Sequence, residues 1–283
     1  MTLLECFLKG NACYKTGHII RPKGVMVHST GANNPTLRRY VQPAEEDANY
    51  STLIARLGRN SNGNDWNQTD RAVCVHAFIG KLADGSVATA QTLPWDMRGW
   101  HAGSGKNGTA NDTHISFEIC EDGLADGDYF RLVYREAVEL TAMLCRAFGF
   151  DPLEDGVVIC HSEGSRKGIA SNHADVMHWF SRHGKTMDDF RGDVAEQMKS
   201  GGDEVEQFAR MMGQYRTRLQ DNDASAYSED ARRWAVEHGL ILGGSGETFN
   251  GMWEDFLTRE QVVVLLFRFW DKLVRCENER AEE

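Results

Sequence analysis

The chain has 283 residues, 41% hydrophobic and 26% charged, enough for one large domain or for a catalytic domain with a small companion. That balance excludes a disordered, collagen-like or coiled-coil polymer. Lys and Arg total 31 against 42 Asp and Glu, a formal charge of −11. Such a balance argues against a nucleic-acid partner, because that binding runs on cationic neutralisation of phosphates.

Seven cysteines are spread along the chain without a C-x-x-C pair. That pattern reads as reduced thiols packed as small hydrophobes, made in a cytoplasm. The first ten residues, Met1 to Gly10, have no basic start, and Glu5 interrupts their apolar stretch, so no signal peptide is expected. No run reaches the roughly 18 apolar residues of a spanning helix, and no membrane partner is expected.

In chain order, Gly24-Val-Met-Val-His28 predicts a buried strand that ends on a histidine. Residues 36 to 70 are polar and read as a helix plus a long loop, with Asn60 to Asp65 as its tip. Ala72 to Gly80 predicts a second strand, paired through an Asp84-Gly85 turn with Ser86 to Gln91 as a hairpin. His114 to Cys120 predicts a further strand. Asp128 to Phe148 is the clearest helix, because Phe130, Val133, Ala137, Leu140, Leu144 and Phe148 recur at 3/4 spacing. Val157 to Cys160 predicts an apolar strand that again ends on a histidine, His161.

These elements predict an α/β fold, a mixed β-sheet flanked by helices, over residues 1–199. Composition changes at Ser200-Gly-Gly-Asp203, and residues 200–283 read as a small all-helical domain. Its helices are expected over Glu204 to about Gln220, Ser228 to His238, and Thr258 to Arg275, with Thr258 and Gln261 forming a capping box.

Two histidines at strand ends, His28 and His161, are joined in sequence by His173-x-Asp175 after a small-residue loop. Catalytic zinc commonly takes three His or carboxylate ligands and leaves a fourth position for water. His28, His161 and Asp175 supply such a set, with His173 as the alternative third ligand. Glu118 lies between Phe117 and Ile119, so alternation puts it on the opposite face from them, where it can serve as a general base. Glu121 reads as solvent-facing. His76 reads as a buried strand histidine or as a partner behind a metal ligand.

Five segments follow one another in a familiar order: Gly24 to Thr30, Val75 to Gly80, Trp100-His-Ala-Gly103, Asn111 to Glu118, and Cys160 to Asp175. Over about residues 20 to 185 the chain resembles the type 2 N-acetylmuramoyl-L-alanine amidases, which share their fold with peptidoglycan recognition proteins. The resemblance implies a Zn2+ ion on His28, His161 and Asp175, with Glu118 as catalytic glutamate. His173 stands where members often carry a lysine that steadies the oxyanion. The loop from His161 to Asp175 is longer than usual in the family, and Val75 stands where some members have a catalytic tyrosine. Trp100 and His101 are expected to line the substrate groove.

The implied partner is bacterial peptidoglycan, cut between N-acetylmuramic acid and L-alanine as by an endolysin or autolysin. Without a signal peptide, the enzyme would be made in the bacterial cytoplasm and act at the wall after release. The alternative is a peptidoglycan-binding module of the same fold that does not cut. Further on, Tyr227 to Ile241 with Phe249 and Thr258 to Gln261 resemble a single S-layer-homology-like repeat. That resemblance implies wall binding. The apolar stripe Val262, Val263, Leu265, Leu266, Phe269 and Trp270 alternatively implies packing or a homodimer.

Overall fold

A computed structural model describes residues 1–68, 72–199, 224–242, 253 and 259–282. The chain divides into two compact units, Met1–Gly201 and Gly202–Glu283. The first holds six strands: β1 (Leu3–Glu5), β2 (Gly24–Ser29), β3 (Ala77–Lys81), β4 (Val87–Gln91), β5 (His114–Ile119) and β6 (Val158–Cys160). They form one sheet in the order β1-β4-β3-β5-β2-β6. The β3/β4 hairpin is antiparallel and every other pairing is parallel, so the sheet is mixed.

The helices of this unit are α1 (Ala12–Thr16), α2 (Tyr50–Leu57), α3 (Gly127–Phe148), α4 (His161–Lys167), α5 (Met177–Phe180) and α6 over 187–199. Helix α3 starts where Asp126 accepts from the backbone N–H groups of Asp128 and Tyr129. It stops at Gly149, whose φ of 71° is the left-handed conformation that ends helices.

The buried stripe of α3, with Phe130, Val133, Ala137, Leu140 and Leu144, packs on Val25, Val27, Ile79, Ile115, Phe117 and Ile119. Burial of each Val, Leu, Ile or Phe in this contact stabilises by about 1.5–3 kcal/mol. The other sheet face is covered by two smaller cores. Phe78, Ala88 and Ala90 meet Leu37, Tyr40, Leu53 and Leu57, while Met26 and Ile159 meet Ala102, Ala110 and Ala170. Period-2 alternation therefore sends Met26 and His28 of β2, and Ser116 and Glu118 of β5, away from α3.

Two expected elements differ. The strand expected over 72–80 begins only at Ala77; Cys74 instead makes an isolated bridge to Trp100. The chain bends between them because the His76 carbonyl is taken by the N–H groups of Thr92 and Leu93. The expected small-residue loop after His161 contains α4, started by the Glu163 carboxylate accepting from the Cys160 N–H and ended at Gly168, φ 74°. Gly164 faces the sheet there, where a Cβ would stand 2.7 Å from Met26 Cε and 3.2 Å from Ala170 Cβ. Cys6, Cys13, Cys74, Cys120, Cys145 and Cys160 are free thiols.

The second unit contains α7 (Glu229–Glu237) and α8 (Arg259–Glu282), the latter running past the expected end at Arg275. The helix expected over 204–220, and Phe249 and Thr258, lie outside the described residues. Val263, Leu266, Phe267 and Trp270 of α8 are exposed. No helix among the described residues is long and apolar enough to cross a membrane.

Candidate metal centre

His28 is the fifth residue of β2 and sits beside Glu118 of β5 in the parallel register. One strand further, β6 runs directly into α4, whose first residue is His161. Asp175 arrives from the segment between α4 and α5. Ligand atoms of these three residues lie within 4.8 Å of one another. His28 Nδ1 is 2.8 Å from Asp175 Oδ2 and 3.3 Å from His161 Nδ1, and His161 Nδ1 is 3.6 Å from Asp175 Oδ1.

Those separations suit a small divalent cation. Ligands about 2.0–2.1 Å from a tetrahedral zinc stand roughly 3.3–3.4 Å apart. Two ring nitrogens that face each other at 3.3 Å share room for one proton at most, so at least one presents a lone pair to the shared space. Burial and the neighbouring His28 push His161 down to about 4, which keeps it neutral and able to ligate. Burial works against the Asp175 carboxylate, but the His28 hydrogen bond and the two histidines outweigh it and hold it below the usual carboxylate range. Two neutral imidazoles and one carboxylate are a donor set that zinc accepts.

Glu118 borders this triad as a half-buried side chain whose Oε2 is enclosed and lacks a hydrogen-bond partner. Burial first, then the negative charges of Asp175 and Glu121, push its carboxyl well above the ordinary range. A cation in the triad would offset that cost. Glu121, expected to face solvent, is instead only 3% exposed. It accepts from the Gly31 N–H at 3.0 Å and pairs with His178 Nε2 at 2.9 Å, so it ties the loop after β2 to α5. His178 carried no expectation from sequence.

His173 lies outside the triad. It is exposed, with its ring centroid 4.8 Å from that of His161. His101 turns inward, where its Nδ1 is 3.0 Å from His28 Nε2. Burial, with His28, His76 and His114 adding to it, pushes His101 well below the usual imidazole range. Trp100, its neighbour, points the other way: it is 39% exposed, with the Arg98 guanidinium 5.2 Å from its ring centre. The cavity beside it is lined by Cys13, His18, Arg98 and Asp112 and by none of the triad. His76 is fully buried, donates from Nε2 to the Met97 carbonyl at 2.7 Å and accepts at Nδ1 from the Ser116 N–H at 3.0 Å. Burial pushes it down to about 4, which is the structural role of a neutral strand histidine.

Two supporting residues escaped the sequence reading. Ser171 Oγ is 3.2 Å from His161 Nε2, the nitrogen that faces away from the triad. Asn111, fully buried, accepts from the N–H groups of His101 and Ala102 at 2.7 and 2.9 Å. Asn111 sits in the Asn-Asp-Thr that precedes β5, a turn-forming signal that could have marked it.

Against this geometry, residues 20–178, more than half of the chain, match the family model described as N-acetylmuramoyl-L-alanine amidase. The chain belongs to that family. Among curated proteins, the N-acetylmuramoyl-L-alanine amidase CwlH of Bacillus subtilis strain 168 is 59% identical over 39 residues, 14% of this chain. The match spans only 15% of that relative's length. Among solved structures, the Staphylococcus aureus hydrolase AmiA, in complex with its ligand, is 20% identical with a TM-score of 0.48, covering 71% of this chain and 86% of its own. A mutant endolysin from Bacillus subtilis is 20% identical with a TM-score of 0.43, covering 69% and 99%. In this amidase-family chain, the matched residues include His28, Glu118, His161 and Asp175, which the fold brings to one end of the sheet.

Proposed function

We propose that the chain is a zinc-dependent N-acetylmuramoyl-L-alanine amidase that acts on bacterial peptidoglycan. The observation that carries this reading is the convergence of His28, His161 and Asp175 within 4.8 Å beside an unpartnered Glu118 carboxylate. A metal-binding triad alone would serve a binding module. The adjacent Glu118 carboxylate, with Oε2 enclosed and free of a hydrogen-bond partner, is what a hydrolase needs in addition.

His28, His161 and Asp175 would hold the ion, which supplies Lewis acidity towards an amide carbonyl and lowers the pKa of water towards ~7. Glu118 would take the proton of the attacking water and return it to the amino nitrogen of L-alanine as its bond to the muramoyl carbonyl breaks. His173, exposed beside His161, donates to the oxygen on which negative charge develops. His101 borders the triad through His28, whereas Trp100 would meet substrate only from the cavity that it lines with Cys13, His18, Arg98 and Asp112. We further propose that the protein acts at the cell wall after release from the cytoplasm. The S-layer-homology-like second unit would hold it there or join it to a second copy, a reading supported by the exposed apolar side chains of α8.

Digestion of purified peptidoglycan, with and without chelator, tests the reading by mass spectrometry. Free stem peptides beginning with L-alanine are expected, lost with chelator and restored by zinc. Bound zinc without any peptide release from several wall types would instead favour the binding module and remove Glu118 from its role.

A further inference from the structure

His28 has two ring nitrogens and the structure gives each a different task. Nδ1 faces Asp175 and His161, while Nε2 meets His101 Nδ1 at 3.0 Å across rings inclined by 75°. A nitrogen that ligates a cation carries no proton, so with Nδ1 in that role the single proton of neutral His28 must sit on Nε2. An N–H in that position, on a residue only 1% exposed, needs an acceptor. Histidines that hold metals usually donate this outer proton to a carboxylate, a backbone carbonyl or water. Here a second imidazole takes that place, which puts the proton of neutral His101 on its own Nε2, an enclosed nitrogen with no hydrogen-bond partner among the described residues.

His101 is built to stay there. Its backbone N–H and that of Ala102 both end on Asn111 Oδ1, and Asn111 Nδ2 returns to the Gly103 carbonyl at 3.0 Å. Behind the ring, Gly99 leaves the space that a side chain would fill, since a Cβ there would lie 3.4 Å from His101 Cδ2 and 2.8 Å from the Cys74 carbonyl. The Trp100 N–H and carbonyl pair with Cys74. Backbone on both sides of His101 is therefore fixed independently of any ligand.

We propose that His101 is a positioning residue: by accepting the Nε2 proton of His28, it sets the tautomer in which His28 Nδ1 presents its lone pair to the metal. The inference rests on the metal reading above. It predicts that His101 matters through its acceptor atom more than through its volume. His101→Asn keeps a carbonyl oxygen near the place of Nδ1, whereas His101→Phe keeps the ring and removes the acceptor.

The test is zinc affinity of the full chain, measured by competition with a chromophoric chelator at one pH, with circular dichroism of each metal-free variant. His101→Phe is expected to weaken zinc binding about 10–100-fold, while His101→Asn stays within several-fold of wild type. Equal affinity in the Phe variant and wild type, or equal losses in Phe and Asn, would overturn the proposal. Failure of both variants to fold would also overturn it, assigning His101 to the core. His28→Ala separates this from the metal reading. If wild type binds no zinc better than His28→Ala, the metal reading fails and takes this inference with it. If wild type binds tightly and His101→Phe does too, only the inference falls.

Discussion

Ile115, Phe117 and Ile119 of β5 are fully buried under α3, while His114, Ser116 and Glu118 of the same strand look the other way and carry polar atoms. The first face is dry and closed by shape alone. On the second, His114 finds Thr113 and the Gly156 carbonyl, and Ser116 finds His76. Only at Glu118 does a buried polar atom of this strand stay without a partner. One strand thus divides its alternate residues between a dry core and a polar face, and the unsatisfied atom stands next to the triad. Native structures pair nearly all buried polar groups, so this atom is the costly position on the polar face of β5.

The strongest way to break this comparison is Glu118→Gln. Loss of a general base is expected to lower amide hydrolysis about 10²–10⁴-fold, read as stem peptides released per minute. Metal-free stability should move in the opposite direction. Glu118 holds its proton more tightly when folded, so its stabilisation is full below the unfolded pKa of about 4.3 and is lost as pH rises through the folded value. The amide does not ionise. Denaturant unfolding of the metal-free proteins should therefore show Glu118→Gln gaining on wild type from pH 4 to pH 7. A constant difference across that range would mean that Glu118 is not strained in the fold.

Phe117→Ala sharpens the comparison from the dry face. It removes a fully buried ring one residue from Glu118 and should cost about 3–5 kcal/mol of stability, seen as a lower denaturant midpoint. Unlike Glu118→Gln, the loss should be the same at pH 4 and pH 7. Peptide release per folded molecule should fall far less than in Glu118→Gln. If both substitutions reduced turnover equally, the two faces would not be separable in function.

Much of this division can be read from the sequence, because the period-2 pattern of Phe117, Glu118 and Ile119 and the strand-end positions of His28 and His161 are local facts. Asp175 and His173 were both open as third ligand, since 168–176 is irregular and no periodicity tells which side chain turns inward. Glu121 departs from its expected solvent-facing position for a related reason. It lies past the end of β5, where alternation no longer applies, and its burial depends on Gly31 and His178, far away in the chain. The segment after His161 looked like a loop because its glycine and serines are poor helix formers. Helix α4 forms there with the Cys160 N–H held by the Glu163 carboxylate and its end at Gly168. The hydrogen bond between His28 and His101 spans 73 residues and has no sequence signal of its own.

The smallest expected effect tests whether the dry face is modular. Asp126 lies at the far end of the α3 contact, exposed, and its carboxylate satisfies the N–H groups of Asp128 and Tyr129. These bonds hold it below the ordinary carboxylate range, that to Tyr129 most strongly. Asp126→Ala should lower stability slightly at neutral pH, read as a small drop in the denaturant midpoint. For an acid with a lowered folded pKa, the stabilisation is present above the unfolded value and fades as pH falls through the folded one. The difference between Asp126→Ala and wild type should therefore shrink on acidification, opposite in sign to the Glu118→Gln trend. Zinc affinity should stay unchanged, because α3 touches the sheet only through the residues that alternate away from the triad. A drop in zinc affinity in Asp126→Ala would show that the two faces of β5 are mechanically coupled, and the division drawn between them would have to be given up.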